Sequence, residues 1–97
     1  MTNITLKNGF KFKVDENIFT DYEVAELCTK MYDPEATDND IAIATVKLID
    51  RVFGKDKKRL LESCRNKKTG IIPAEKPGEC LAEVIQQCEA INNAAKN

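Results

Sequence analysis

The stretch Asp40-Ile-Ala-Ile-Ala-Thr-Val-Lys-Leu-Ile-Asp-Arg-Val-Phe-Gly54 is the most apolar in the chain, and the fold follows from how it must be covered. On a helical wheel, Ile41, Thr45, Leu48, Ile49, Val52 and Phe53 form one stripe, and Ala42, Ala44 and Val46 widen it. Lys47, Asp50 and Arg51 share a narrow polar face. An ordinary surface helix carries an apolar stripe of about 100°. Here the stripe exceeds half the circumference, so neighbours are required on more than one side. Ile43 projects toward the Lys47 and Asp50 side, off the stripe, and is expected either under a flanking helix or at a subunit contact.

The flanking sequence supplies candidate cover. In residues 2–14, Ile4 and Leu6 alternate with polar residues, as do Phe10, Phe12 and Val14, with Asn8-Gly9 between them. A two-residue loop would put the two apolar sets on opposite faces of a hairpin. A three-residue loop, Lys7-Asn8-Gly9, pairs Leu6 with Phe10 and Ile4 with Phe12 on one face, with Gly9 in the left-handed position. A one-residue slip reverses every side chain, so the second register is predicted, with Lys7, Lys11 and Lys13 on the wet face.

Four helices are predicted, over residues 21–32, 40–53, 57–66 and 78–93, with 94–97 as a flexible tail. Thr20-Asp-Tyr-Glu23 reads as a capping box, with Phe19 and Val24 as its hydrophobic staple. The first helix must end before Pro34, the second is capped at Asp38 or Asn39 and stopped by Gly54, and Asp56 caps the third. Pro77-Gly78 marks the start of the last, which carries Leu81, Val84, Ile85, Cys88 and Ile91 on one stripe. The expected fold is a single α+β domain, mainly α: an N-terminal β-hairpin followed by about four helices packed as a small bundle.

Composition narrows the function. Ninety-seven residues suffice for one modest core. With 15 basic and 16 acidic residues, the net charge of −1 advertises no polyanionic partner. No apolar run approaches the roughly 18 residues of a membrane span, and no secretory leader is read, so an intracellular, soluble protein is expected. The chain has no histidine, which removes Ser-His and Cys-His catalysis and the commonest general base. No glycine-rich phosphate loop is present. Cys28, Cys64, Cys80 and Cys88 lie among apolar helical positions and read as reduced, small hydrophobes, with a disulfide between distant cysteines as the alternative. The acids of residues 33–40 lack the EF-hand glycine and glutamate, so that segment reads as a solvated loop. No catalytic residue, metal or cofactor is expected.

Charge is segregated. Residues 55–68 hold Lys55, Lys57, Lys58, Arg59, Arg65, Lys67 and Lys68 against two acids, a balance of +5; residues 15–40 hold nine acids against Lys30, a balance of −8. The pattern suits contact between copies or with a charged partner. Nucleic-acid binding through 55–68 is less favoured, because no aromatic residue interleaves the cations. Candidate partner or self contacts are Ile43, the cations Lys57, Lys58 and Arg59, and the last-helix residues Val84, Cys88 and Ile91, whose stripe otherwise belongs to the core.

Taken in order, Thr5-Leu-Lys-Asn-Gly-Phe-Lys-Phe-Lys-Val-Asp-Glu16, Asp21-Tyr-Glu23, Val52-Phe-Gly54, Leu60-Leu-Glu62, Arg65-Asn-Lys67 and Gly70-Ile-Ile-Pro-Ala-Glu75 resemble the small tail assembly chaperones of long-tailed bacteriophages of Gram-positive hosts. The resemblance covers nearly the whole chain; residues 33–40 and 75–78 depart from the pattern. It implies a non-enzymatic chaperone in the host cytoplasm that binds the helical tape measure protein and keeps it soluble. On that pattern the chaperone leaves as tail tube protein polymerises; the segregated charge and the over-apolar central helix, read from the residues themselves, suit a homo-oligomer or a helical client. It also implies a longer frameshifted product, for which codons of Ala95-Lys-Asn97 could form the slippery site. The alternative function is a small nucleic-acid-binding regulator using segment 55–68.

Overall fold

The computed structural model describes residues 1–96, with side chains through residue 89; Asn97 lies outside the described residues. Strands β1 (Thr2–Thr5) and β2 (Lys11–Val14) lead through a 3-10 turn at Glu16–Thr20 into α1 (Tyr22–Met31) and α2 (Asp38–Phe53). A second 3-10 turn, Gly54–Asp56, joins α2 to α3 (Lys57–Cys64), and α4 spans Glu75–Lys96. The chain is thus a small, mainly helical α+β protein with an N-terminal two-stranded antiparallel hairpin. No loop residue separates α2 from the 3-10 turn or the turn from α3, so the helical part is three units, α1, α2–α3 and α4, not four separately connected helices.

The hairpin takes the register that side-chain parity selects. Ile4 pairs with Phe12 and Thr2 with Val14. The Leu6 N–H donates to the Phe10 carbonyl at 2.9 Å, and Gly9, at φ +90°, closes the loop by donating to the Leu6 carbonyl. Ile4, Leu6, Phe10, Phe12 and Val14 are all buried, while Lys7, Lys11 and Lys13 face solvent. A lone hairpin is marginal in water. This one is clamped by side chains from the helices: Glu83 accepts from the Lys7 N–H at 3.0 Å, Gln87 donates to the Thr5 carbonyl at 3.1 Å, and Arg59 to the Lys11 carbonyl at 2.9 Å. These bonds occupy backbone groups that an open hairpin would expose.

Beneath the hairpin the core gathers around the C-terminal half of α2. Phe12 stacks on Phe53 at 4.8 Å between ring centroids. Leu48, Leu60, Leu81, Val24 and Val84 are completely buried among the hairpin residues. Gly54, at φ +50°, ends α2 as expected, its N–H bonded to the Asp50 carbonyl.

Several boundaries differ from expectation, two of them because a neighbouring group does the capping. The N-cap of α1 is Asp21, which accepts from the Val24 N–H at 3.1 Å; Thr20 instead donates to the Asn17 carbonyl at 2.7 Å within the preceding 3-10 turn. Glu23 does not reach back to the cap but pairs with Arg51. The N-cap of α2 is Thr37, not Asp38 or Asn39, with its hydroxyl accepting from the Asp40 N–H at 3.1 Å. Asp56 precedes α3 without a side-chain cap and binds Arg59 at 3.0 Å, and α3 ends at Cys64, two residues short of the expected 66. Helix α4 begins at Glu75, not at residue 78: Pro77 falls in the first turn, where its missing N–H is no loss. The expected tail at 94–97 is helical to Lys96.

Candidate interaction surface

Covering α2 from the hairpin, α1 and α4 buries Ala44, Leu48, Ile49, Val52 and Phe53 but leaves the N-terminal half of its outward face bare. Ala42 is exposed there, with Ile43 at 47% and Val46 at 57% exposure. Val46 and Ala42, counted with the buried stripe by their apolar character, face solvent. The signal lay in helical spacing: Val46 is one turn from Asp50, and Ile43 one turn from Lys47, both on the polar side.

An open groove flanks this face on each side. The first runs between α1 and α2, lined by Tyr22, Ala25, Glu26, Ile43 and Lys47. Tyr22 is 77% exposed, a large apolar body left uncovered just after the α1 cap. The second lies between α2, α3 and the start of α4, lined by Ala42, Val46, Ile49, Leu61 and Pro77. Beyond the C-terminal end of the first groove, Arg51 reaches from α2 to Asp21 at 3.2 Å and to Glu23 at 3.5 Å, linking α2 to the start of α1. The helices on either side of the bare face are held in place chiefly by the core beneath.

A third groove separates α1 from α4, between Phe19, Ala25, Thr29, Tyr32, Ile85 and Cys88. Burial pushes the Cys28 thiol up, with Glu89 adding to the effect, and burial likewise raises Cys88, with a contribution from Glu16. The Tyr32 phenol is raised too, first by burial and then by Cys28 and Glu89. These groups are neutral at physiological pH, so the groove presents apolar surface and not nucleophiles.

The remaining candidate contacts divide. Val84 and Cys88 lie in the core, at 0% and 1% exposure, because α2, α3, the 3-10 turn at Glu16–Thr20 and the hairpin lie against the α4 stripe; they are not available to a partner. The side chain of Ile91 lies outside the described residues. Lys58 is exposed, whereas Lys57 pairs with Asp50, and Arg59 lies over the Phe10 ring and binds Asp56. Arg65 pairs with Glu62 at 2.8 Å and donates to the Gly70 carbonyl at 2.6 Å. Three of the seven cations in 55–68 are thus engaged inside the chain. Among the described residues, all four cysteines are free, no three acids or thiols are grouped to hold a metal ion, and no helix is long and apolar enough to cross a membrane.

Comparison with known proteins adds no relative: no family model, no curated protein and no solved structure matches this chain.

Proposed function

We propose that this protein is a non-enzymatic assembly chaperone for a phage tail, acting in the host cytoplasm. It binds the helical tape measure protein, holds it soluble, and yields its place to tail tube protein. The carrying observation is the outward face of α2, where Ala42, Ile43 and Val46 stand exposed between two grooves. An apolar helix face set between grooves with polar rims accepts the apolar stripe of a partner helix, anchored at every three or four residues. The order of elements in the sequence, which resembles that of tail assembly chaperones, supports the same reading. A nucleic-acid role for 55–68 is weaker, since Lys57, Arg59 and Arg65 already serve intramolecular pairs.

Co-expression with the tape measure protein encoded in the same genome tests this. The client is expected to stay soluble and co-purify, and Ile43→Lys with Val46→Lys is expected to abolish capture while leaving the circular dichroism spectrum unchanged. Capture should persist as salt rises, unlike phosphate contacts, which weaken steeply. An insoluble client with nothing co-purifying sinks the proposal.

A further inference from the structure

Cys64 is the last residue of α3, and Cys80 lies in the second turn of α4. Their Sγ atoms are 3.9 Å apart. Cys28 and Cys88, which share a groove wall region, make no sulfur–sulfur contact of this kind. Both helices are anchored beside the pair by fully buried leucines, Leu60 one turn before Cys64 and Leu81 next to Cys80. The connection between them is held by its own hydrogen bonds. The Asn66 N–H donates to the Ile71 carbonyl at 2.8 Å, the Gly70 N–H to the Asn66 carbonyl at 2.8 Å, and Asn66 Oδ1 accepts from Lys68 and Thr69. The two sulfurs are therefore neighbours in the folded state, and a bond needs them to approach by about 1.9 Å, within reach of side-chain rotation.

We propose that Cys64 and Cys80 are a modification site, forming a reversible disulfide that staples α3 to α4 when the chain meets a low-molecular-weight disulfide. Cys64 is half-buried and is the entry point; Cys80 is 6% exposed. The Cys64 thiolate attacks one sulfur of the small disulfide, forming a mixed disulfide and releasing one small thiol. Cys80 then loses its proton and attacks the Cys64 sulfur, forming the internal bond and expelling the second small thiol. Two protein thiols are oxidised and one small disulfide is reduced to two thiols. In the reduced pair, burial and then Cys64 alongside push the Cys80 thiol up to about 12; in the mixed disulfide the burial contribution remains and disfavours the thiolate that the second step needs. The staple acts on a surface already described: Leu61 and Pro77, each one turn before a bonded cysteine, line the groove beside Val46. Oxidation fixes those two walls relative to one another.

The test uses the unmutated full-length protein, equilibrated with oxidised and reduced glutathione at graded ratios, quenched in acid, alkylated and mapped by mass spectrometry. The expected result is the joint loss of two of the four free thiols, with one peptide pair joining Cys64 to Cys80, reversed by excess reduced glutathione. Cys80→Ser should accumulate a glutathione adduct on Cys64, and Cys28→Ser should form the internal bond as before. Four free thiols at every ratio overturn the proposal. So does a lasting adduct on Cys64 in the unmutated protein, or a bond from either cysteine to Cys28 or Cys88.

Discussion

The guanidinium carbon of Arg59 sits 4.5 Å over the centre of the Phe10 ring, while its Nη1 donates to the Lys11 carbonyl at 2.9 Å and its Nη2 to Asp56 at 3.0 Å. One side chain of α3 thus grips the hairpin by its ring and by its backbone. The ion pair with Asp56 is solvent-exposed and contributes little. The ring contact and the carbonyl bond contribute about 0.5–1 kcal/mol each. Lysine cannot make both, because it lacks the planar fork. Arg59→Lys, which keeps at most one of the two contacts, is therefore expected to lower unfolding free energy by about 0.5–1 kcal/mol, measured by urea denaturation, whereas Lys58→Ala next to it should leave it within the error of the measurement. Equal effects from the two would remove the clamp from this account.

A second prediction separates core from surface among the candidate contacts. Val84 is fully buried, and truncating it removes two methyl groups and leaves a cavity. Val84→Ala is expected to cost about 2 kcal/mol. Ile43, on the bare face of α2, should cost less than about 0.5 kcal/mol when changed to Ala. Thermal unfolding of the two variants side by side checks the assignment; a large loss at Ile43 would mean that a neighbour covers it.

Much of this architecture was legible because some patterns admit one solution. The parity of Ile4, Leu6, Phe10, Phe12 and Val14 leaves a single hairpin register with a dry face, and Gly54 ends α2 wherever the packing places it. Caps fall one or two residues from the positions that sequence suggests where several acceptors stand in a row. Thr20 and Asp21 can each cap α1, and the choice falls to Asp21 because the 3-10 turn engages the Thr20 hydroxyl. At the candidate site, Ile43 was legible from its angle on the wheel, but Val46 was grouped by polarity and not by its one-turn spacing from Asp50. The role of the α4 stripe depends on which surfaces remain uncovered elsewhere, which no local pattern carries. The approach of Cys64 to Cys80 depends on how α3 and α4 cross, and spacing in the chain does not encode it.

A third prediction concerns pH. Glu16 is held below the usual carboxylate range first by its own backbone N–H and then by the Thr2 hydroxyl, which donates to Oε2 at 2.8 Å. A carboxyl lowered in the folded state adds stability above its unfolded pKa, and that increment disappears as pH falls through the lower folded value. Stability is therefore expected to decline below the ordinary glutamate range, with Glu16 contributing. In Thr2→Val, an NMR titration should place Glu16 closer to the usual value, yet still below it because the backbone bond remains. An unchanged titration would show that the Thr2 hydroxyl does not act on the carboxyl.

The last prediction decides where α4 begins. Gly78 is the fourth residue of the helix as built from Glu75, and a Cβ added there would meet Thr45 Cγ2 of α2 at 3.6 Å, an ordinary contact. In a helix interior, replacing glycine with alanine reduces the entropy of the unfolded chain and gains about 0.5–1 kcal/mol. A helix beginning at residue 78, as Pro77-Gly78 suggests from sequence, would instead put this glycine near the N-cap, where alanine is a poor substitute. The sign of the change therefore reports the boundary. Gly78→Ala is expected to raise the urea midpoint; a lower midpoint would place the start of α4 after Pro77 and detach residues 75–77 from the wall of the groove beside Val46.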